Sequence, residues 1–168
     1  MNIVIRAEQP ADSEAIFELT RVAFLTAAHS CQREQFVVNA LRRSGDLALS
    51  LVAVKAARLV GHVAFSPVSI ASGDAGWYGV GPLSVLPECQ RQGIGTRLMQ
   101  QGMATLMSLR AGGCVLVGDP AFYGRLGFSP CIDLTLPEVP PEYFLGRRFG
   151  DATAKGEVKF SAAFEATH

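Results

Sequence analysis

An α/β domain, with a mixed and mostly antiparallel central sheet flanked by helices, is the fold class this chain predicts. Three observations predict it. Apolar residues recur every three or four positions in several segments, as one buried helix face requires. Between these segments lie short apolar strand-like runs whose connections are too brief for a crossover helix, so consecutive strands pair antiparallel. One stretch alone runs strand, glycine-rich turn, helix, strand, which demands a right-handed parallel crossover. At 168 residues the chain fits a single domain over 1–168, large enough to bury a core without metal or disulfide staples.

Residues 2–6 form the first apolar strand. Pro10, Asp12 and Glu14 stand where a helix first turn favours them, and Ile16, Leu19 and Ala23 give that helix its buried stripe. A second helix is expected from Gln32 to Ser44, with Phe36, Val37, Ala40 and Leu41 inward and Gly45 as its stop. The period then changes to two. Leu49–Val54 and Leu59–Phe65 read as strands joined by a tight turn near Ala56-Ala57, and Trp77–Val85 as another. Pro82 cannot donate to a ladder, so this last strand must carry an edge or a bulge there. Ile94, Leu98, Gly102, Leu106 and Leu109 restore the helical period until Gly112-Gly113, and Cys114–Val117 is a short buried strand. Asp119 to Phe128 predicts a short helix with Pro120 in its first turn. A link with Pro137, Pro140 and Pro141 leads to strands expected at 143–149 and 157–164, paired as a closing hairpin.

Composition narrows the function. Fifteen basic and fifteen acidic residues balance, and no Lys/Arg block stands out, which argues against nucleic acid and membrane surfaces as partners. Cys31, Cys89, Cys114 and Cys131 form no C-x-x-C pair and have no histidine at ligand spacing, so neither zinc nor a redox pair is indicated and no metal is expected. The first residues lack the apolar core of a signal peptide, and no run reaches the ~20 apolar residues of a membrane span. A reducing cytoplasm is the expected compartment.

The chemistry concentrates at Gln90-Arg91-Gln92-Gly93-Ile94-Gly95-Thr96, between a strand and a helix. Two glycines one residue apart leave room for a ligand to touch backbone, and the first helical turn offers N–H groups without intrahelical acceptors, so the turn suits an anion such as a pyrophosphate. It is not a P-loop, because no Lys-Ser or Lys-Thr pair follows the glycines. It fits the dinucleotide fingerprint poorly: Leu98 occupies the third glycine position, and Val115–Val117 carries no acid for a ribose. Taken alone, the glycines could equally make a plain tight turn.

Together with the downstream Phe122-Tyr123-Gly124-x-x-Gly127-Phe128, Gln90-x-x-Gly93-x-Gly95 resembles the GNAT superfamily of N-acetyltransferases. The two motifs occur in that family's order and spacing, and the alternation of elements agrees from residue 2 to about 164. The resemblance implies a GNAT-like fold and acetyl-CoA as cosubstrate. Leu83, Ser84 and Val85 would pair with the pantetheine like an added strand, and Gln90, Arg91, Gln92, Gly93, Ile94, Gly95 and Thr96 would wrap the pyrophosphate. Arg91 admits two readings, a charge-assisted phosphate contact or a solvated surface arginine. Tyr123 would be the general acid for the departing thiolate, against a plain core tyrosine; an N–H near Val85 would meet the oxyanion.

Many relatives carry an acid on the central strand as base, and Trp77–Val85 has none. Glu34, His29 and His62 are the candidates, each with a structural alternative: a solvated helix face, a loop residue and a packed strand histidine. Cys31 and Cys89 lack the histidine partner of an acyl-carrying thiol. Arg125 either reaches the adenosine phosphate or sits exposed on its helix. The acceptor implied is an amine, on a small molecule or a protein, chosen by the loop at Thr26–Cys31 and by the proline-rich link; the resemblance also admits a homodimer. A non-catalytic acyl-CoA-binding regulatory module is the alternative from another class, and a purely structural domain a third.

Overall fold

A computed structural model describes residues 2–28, 30–151 and 153–168. In chain order its elements are β1 (Ile3–Ala7), α1 (Ser13–Phe24), α2 (Glu34–Ser44), β2 (Leu49–Lys55), β3 (Arg58–Pro67), β4 (Ser69–Ile70), β5 (Trp77–Val85), α3 (Ile94–Ser108), β6 (Gly113–Val117), α4 (Pro120–Tyr123), β7 (Ser129–Pro130), β8 (Leu134–Thr135), β9 (Phe144–Arg148) and β10 (Gly156–Lys159). Short 3-10 turns intervene, the first at Pro10–Asp12, where Asp12 accepts from the Gln9 backbone N–H at 2.7 Å and pairs with Arg6. The β2–β3 hairpin closes with Lys55 opposite Arg58, leaving Ala56 and Ala57 as a two-residue turn, both at positive φ (49° and 62°). That backbone fits the twist of paired strands even though alanine is strained there.

Seven strands form the main sheet, in the order β1-β2-β3-β5-β6-β9-β7. Among the described residues β5–β6 is its one parallel pair, and α3 makes the crossover between them. The sheet is therefore mixed and mostly antiparallel, as expected. On one face Val63 and Phe65 of β3 pack with Leu98, Met99 and Met103 of α3. The helix comes so close that a Cβ on Gly102 would lie 2.3 Å from the Phe65 ring. On the other face Val52 packs with Ile16 and Val38, and Ala64 with Val37 and Leu41, so α1 and α2 cover it.

Two expectations are corrected. The last strands do not form a hairpin: β9 has β6 on one edge and β7 on the other, so neither edge is free for β10. Instead β10 joins a second sheet, antiparallel to β4 and parallel to β8. The strand expected over 157–164 also stops at Lys159, and a 3-10 turn occupies Ala162–Glu165.

Candidate functional site

The site begins where the sheet opens. The β5–β6 ladder runs from Trp77↔Gly113 to Gly79↔Val115 and stops, while Leu116 and Val117 go on pairing with β9. Just past that point β5 bulges: between Phe65↔Val80 and Val63↔Leu83 it has two residues, Gly81 and Pro82, opposite Ala64 alone. An extra residue bends a strand and re-aims the residues beyond it. Pro82 thus sits at a bulge, as its missing N–H required. Leu83–Val85 stays bonded to β3 on one side and is free of the β6 ladder on the other.

Helix α3 starts beside that gap. Gly93, its N-cap, has φ +83°, a left-handed turn that admits a side chain only with strain. Among the described residues no side chain caps this end, and no acid occupies the first turn. The first N–H with a helical acceptor is that of Arg97, bonded to Gly93 O at 3.0 Å. The amides of Ile94, Gly95 and Thr96 are therefore left to a ligand, at the positive end of a 15-residue helix. Gln90 ties the turn to the strand, its side-chain amide donating to Val85 O at 3.1 Å.

These parts meet in one cleft of about 640 Å³. It is lined by Leu83, Val85, Cys89, Gln90, Arg91, Gly93, Ile94, Gly95 and Thr96 on one side and by Asp119, Phe122, Tyr123 and Arg125 on the other. Eight of the ten positions expected to hold cofactor lie on it; Ser84 and Gln92 do not. The Gln92 amide turns back to Glu88 O at 3.4 Å, and its Oε1 accepts from Lys55 at 3.5 Å. Ser84 falls on the opposite face of the pleat and is buried. Asp119, Phe122 and Cys89 join the wall without having been expected there. The legible signal was Asp119 before Pro120, since its carboxylate caps α4 by accepting from Ala121 N at 2.9 Å.

Tyr123 is wedged edge-on between Phe122 and Phe128, at ring distances of 4.8 and 5.9 Å. Burial pushes its hydroxyl up to about 12, so it stays protonated at physiological pH. That widens the gap to a thiol at ~8.5 and makes Tyr123 a weaker proton donor than a free tyrosine. Its best contribution is a hydrogen bond to sulfur as charge develops there. Arg91, at φ 63°, and Arg125 are both exposed and put two cations on the rim.

Glu34 and His62 do not line this cleft. Glu34 accepts from Ser30 Oγ at 2.7 Å near the start of α2, with Cys31 Sγ 3.7 Å away. His29 lies outside the described residues. His62 is wholly buried, bonded through Nε2 to Ser50 Oγ at 2.8 Å, and burial lowers it to about 4. Cys31 is exposed and Cys89 buried, and among the described residues neither has a histidine partner. Among the described residues no three His, Cys, Asp or Glu side chains cluster as metal ligands.

An uncapped helix start with unbonded backbone amides, beside a mixed sheet that opens at its parallel β5–β6 seam, is the arrangement of the N-acetyltransferase class of fold. The comparisons agree. Residues 46–130 match the acetyltransferase (GNAT) domain family. The uncharacterized N-acetyltransferase YhbS of Escherichia coli K12 is 37% identical over 128 residues, 76% of this chain and 74% of that protein. The crystal structure of YhbS in complex with CoA superposes with a TM-score of 0.90 at 32% identity, covering 100% of this chain and 94% of that one. A Brucella melitensis GNAT acetyltransferase in complex with acetyl-CoA gives 0.86 at 42% identity, covering 97% and 98%. The chain belongs to the GNAT family of acetyltransferases.

Proposed function

We infer that the protein transfers an acetyl group from acetyl-CoA to a primary amine. The observation that carries this reading is the splayed end of β5 facing the uncapped N-terminus of α3 in one cleft. The cleft fits the cosubstrate in kind: unpaired strand backbone for an amide-bearing arm, three free helix amides for phosphate, and a cationic rim. Acetyl-CoA, when bound, supplies an acetyl group activated as a thioester. Leu83, Ser84 and Val85 hold its arm through their backbone, and the turn from Gln90 to Thr96 holds the pyrophosphate. Within that turn Gln92 acts through its backbone alone, since its side chain points elsewhere. Tyr123 donates a hydrogen bond to the departing sulfur, and an N–H near Val85 meets the carbonyl oxygen as it gains charge.

The Thr26–Cys31 loop and the link around Pro137–Pro141 set the choice of amine, on a small molecule or a protein. The four free thiols fit a reducing cytoplasm, and no helix among the described residues is long and apolar enough to cross a membrane. Calorimetric titration with acetyl-CoA, followed by thiol detection of CoA release over a panel of primary amines, tests the reading. Binding plus amine-dependent release is expected. Binding without release to any amine would reduce the protein to an acyl-CoA-binding module, and failure of the folded protein to bind would remove the cleft from consideration.

A further inference from the structure

Packing rather than a hydrogen bond places the Tyr123 hydroxyl. Among the described residues nothing hydrogen-bonds it, and burial alone shifts the group. The backbone of the residue is tied at both ends: Tyr123 N–H donates to Asp119 O at 3.0 Å, and Tyr123 O accepts from Phe128 N–H at 3.2 Å. With the backbone fixed, the oxygen goes where the ring goes. Phe122 and Phe128 stand against that ring with centroids 4.8 and 5.9 Å away.

A further neighbour of the ring has no side chain at all. Gly118 follows β6 directly, and its N–H bonds Tyr143 O at 3.0 Å. A Cβ on Gly118 would lie 2.4 Å from Tyr123 Cε2, 2.9 Å from Cδ2 and 3.2 Å from Leu116 Cδ1. Carbon atoms rest at about 3.5–4.0 Å, so a methyl group there must drive the ring edge back by about 1 Å. Cε2 adjoins the carbon that bears the hydroxyl, and the displaced edge therefore carries the oxygen with it. The backbone gives no competing reason for a glycine. Gly118 lies outside the left-handed region, unlike Gly93, and the position is only half-buried.

On the reading of the cleft as an acetyl-transfer site, we propose that Gly118 is a positioning residue, whose missing side chain forms the socket that aims the Tyr123 hydroxyl at the departing sulfur. Gly118 does not line the cleft and acts through Tyr123 alone. A hydrogen bond that strengthens as the C–S bond breaks depends on both distance and direction. A misplacement of about 1 Å can cost on the order of 100-fold in rate. The amides of Ile94, Gly95 and Thr96 stand on the other wall of the cleft, so a change at Gly118 leaves the anion site as it is. Holding the cosubstrate and assisting its sulfur are therefore separable at this one position.

Carbon–proton NMR of the tyrosine rings tests the socket in the whole protein without any substrate. Gly118→Ala should move the Tyr123 signal, identified by its loss in Tyr123→Phe, and leave that of Tyr78 in place; an unmoved Tyr123 signal overturns the proposal. The second measurement is kcat for CoA release with the fastest amine of the panel. Gly118→Ala should lower it by about tenfold or more while the calorimetric affinity for acetyl-CoA stays within about twofold. In a Tyr123→Phe background, with no hydroxyl to misplace, the same change should lower kcat by less than about twofold. Unchanged kcat in the single variant overturns the proposal, and so does an equal loss in both backgrounds, since a general disturbance of the site would not depend on the hydroxyl. If Gly118→Ala does not fold, melting temperatures decide: Tyr123→Ala with and without Gly118→Ala should melt alike, and a loss of stability that persists without the ring overturns the proposal. Bound acetyl-CoA with no release to any amine would count against the amine reading, and the ring signal would still decide whether Gly118 sets the tyrosine.

Discussion

The two faces of β5 handle polarity in opposite ways. Towards α3, Leu83 and Val85 present apolar side chains to an open cleft, and the polarity comes from backbone amides at a helix start. Towards α1 and α2, Ser84 lies opposite His62 in a closed interior, and the polarity comes from side chains, His62 being linked through Ser50 to Glu8 and Arg42. An anion site of the first kind costs the fold little, because the amides at a helix N-terminus are unbonded in any case. The second kind is costly, because Ser84 Oγ and His62 Nδ1 are buried without a hydrogen-bond partner among the described residues and only the bonds through Ser50 to Glu8 offset that cost. The first face should therefore fail by losing ligand and the second by losing stability.

Acid gives the largest expected effect and strikes the second face alone. The folded ring resists a proton until about pH 4, whereas a histidine in the unfolded chain takes one up near 6.5. The stability linked to His62 is thus complete above pH 6.5 and is lost as pH falls towards 4, on the order of 3 kcal/mol in all. Urea unfolding at pH 7 and pH 4 should show that loss in the native protein and a smaller one in His62→Leu, with the depressed Glu8 adding to both in the same direction. Parallel pH curves for the two proteins would mean that the ring is hydrated and the contrast between the faces wrong. Next in size is Tyr123→Phe, expected to lower kcat by roughly 100-fold while the calorimetric affinity for acetyl-CoA holds. Because burial places this hydroxyl at about 12, the activity it supports should show no titration of Tyr123 between pH 6 and 10. A loss of affinity equal to the loss of turnover would make Tyr123 part of the binding wall instead.

The two faces also differed in how far the sequence revealed them. Gly93 and Gly95 lie within one turn, and Phe122-Tyr123 follows the next strand, so two local motifs sufficed for the resemblance that put Tyr123 at the same site as Gln90–Thr96. The bulge at Pro82 was legible for the same reason, since a residue without an N–H has few places in a strand. The buried polar groups of the second face were not legible. Glu8, Arg42, Ser50, His62 and Ser84 come from five elements or their ends, and only strand register and the packing of α2 on the sheet bring them together. His62 read alone could be a base or a packed histidine; what its ring bonds is a serine twelve residues away. The closing hairpin failed through the same limit, for β9 and β10 look like neighbours in sequence, and nothing local shows that both edges of β9 are already taken.

The smallest effects sharpen the first face. Gly93→Val should weaken acetyl-CoA binding by about tenfold or more, since a β-branched side chain at φ +83° adds roughly 1–2 kcal/mol of strain that the turn can relieve only by leaving its bound shape. Circular dichroism should still report a folded protein, because no atom lies within 4 Å of the new Cβ. Gly95, two residues on, differs in kind: its backbone is ordinary helix, and a Cβ there would meet Phe122 Cζ at 3.5 Å and Leu83 Cδ2 at 3.8 Å, which is van der Waals contact. Gly95→Ala should therefore leave affinity within about twofold and raise the melting temperature slightly, as alanine gains up to about 1 kcal/mol over glycine in a helix. The pair separates two meanings of a glycine in this motif, one required by its own backbone and one by what touches it. If Gly95→Ala removed binding as fully as Gly93→Val, the ligand itself would have to press against the Gly95 Cα, and the room for it would come from the missing side chain rather than from the left-handed turn.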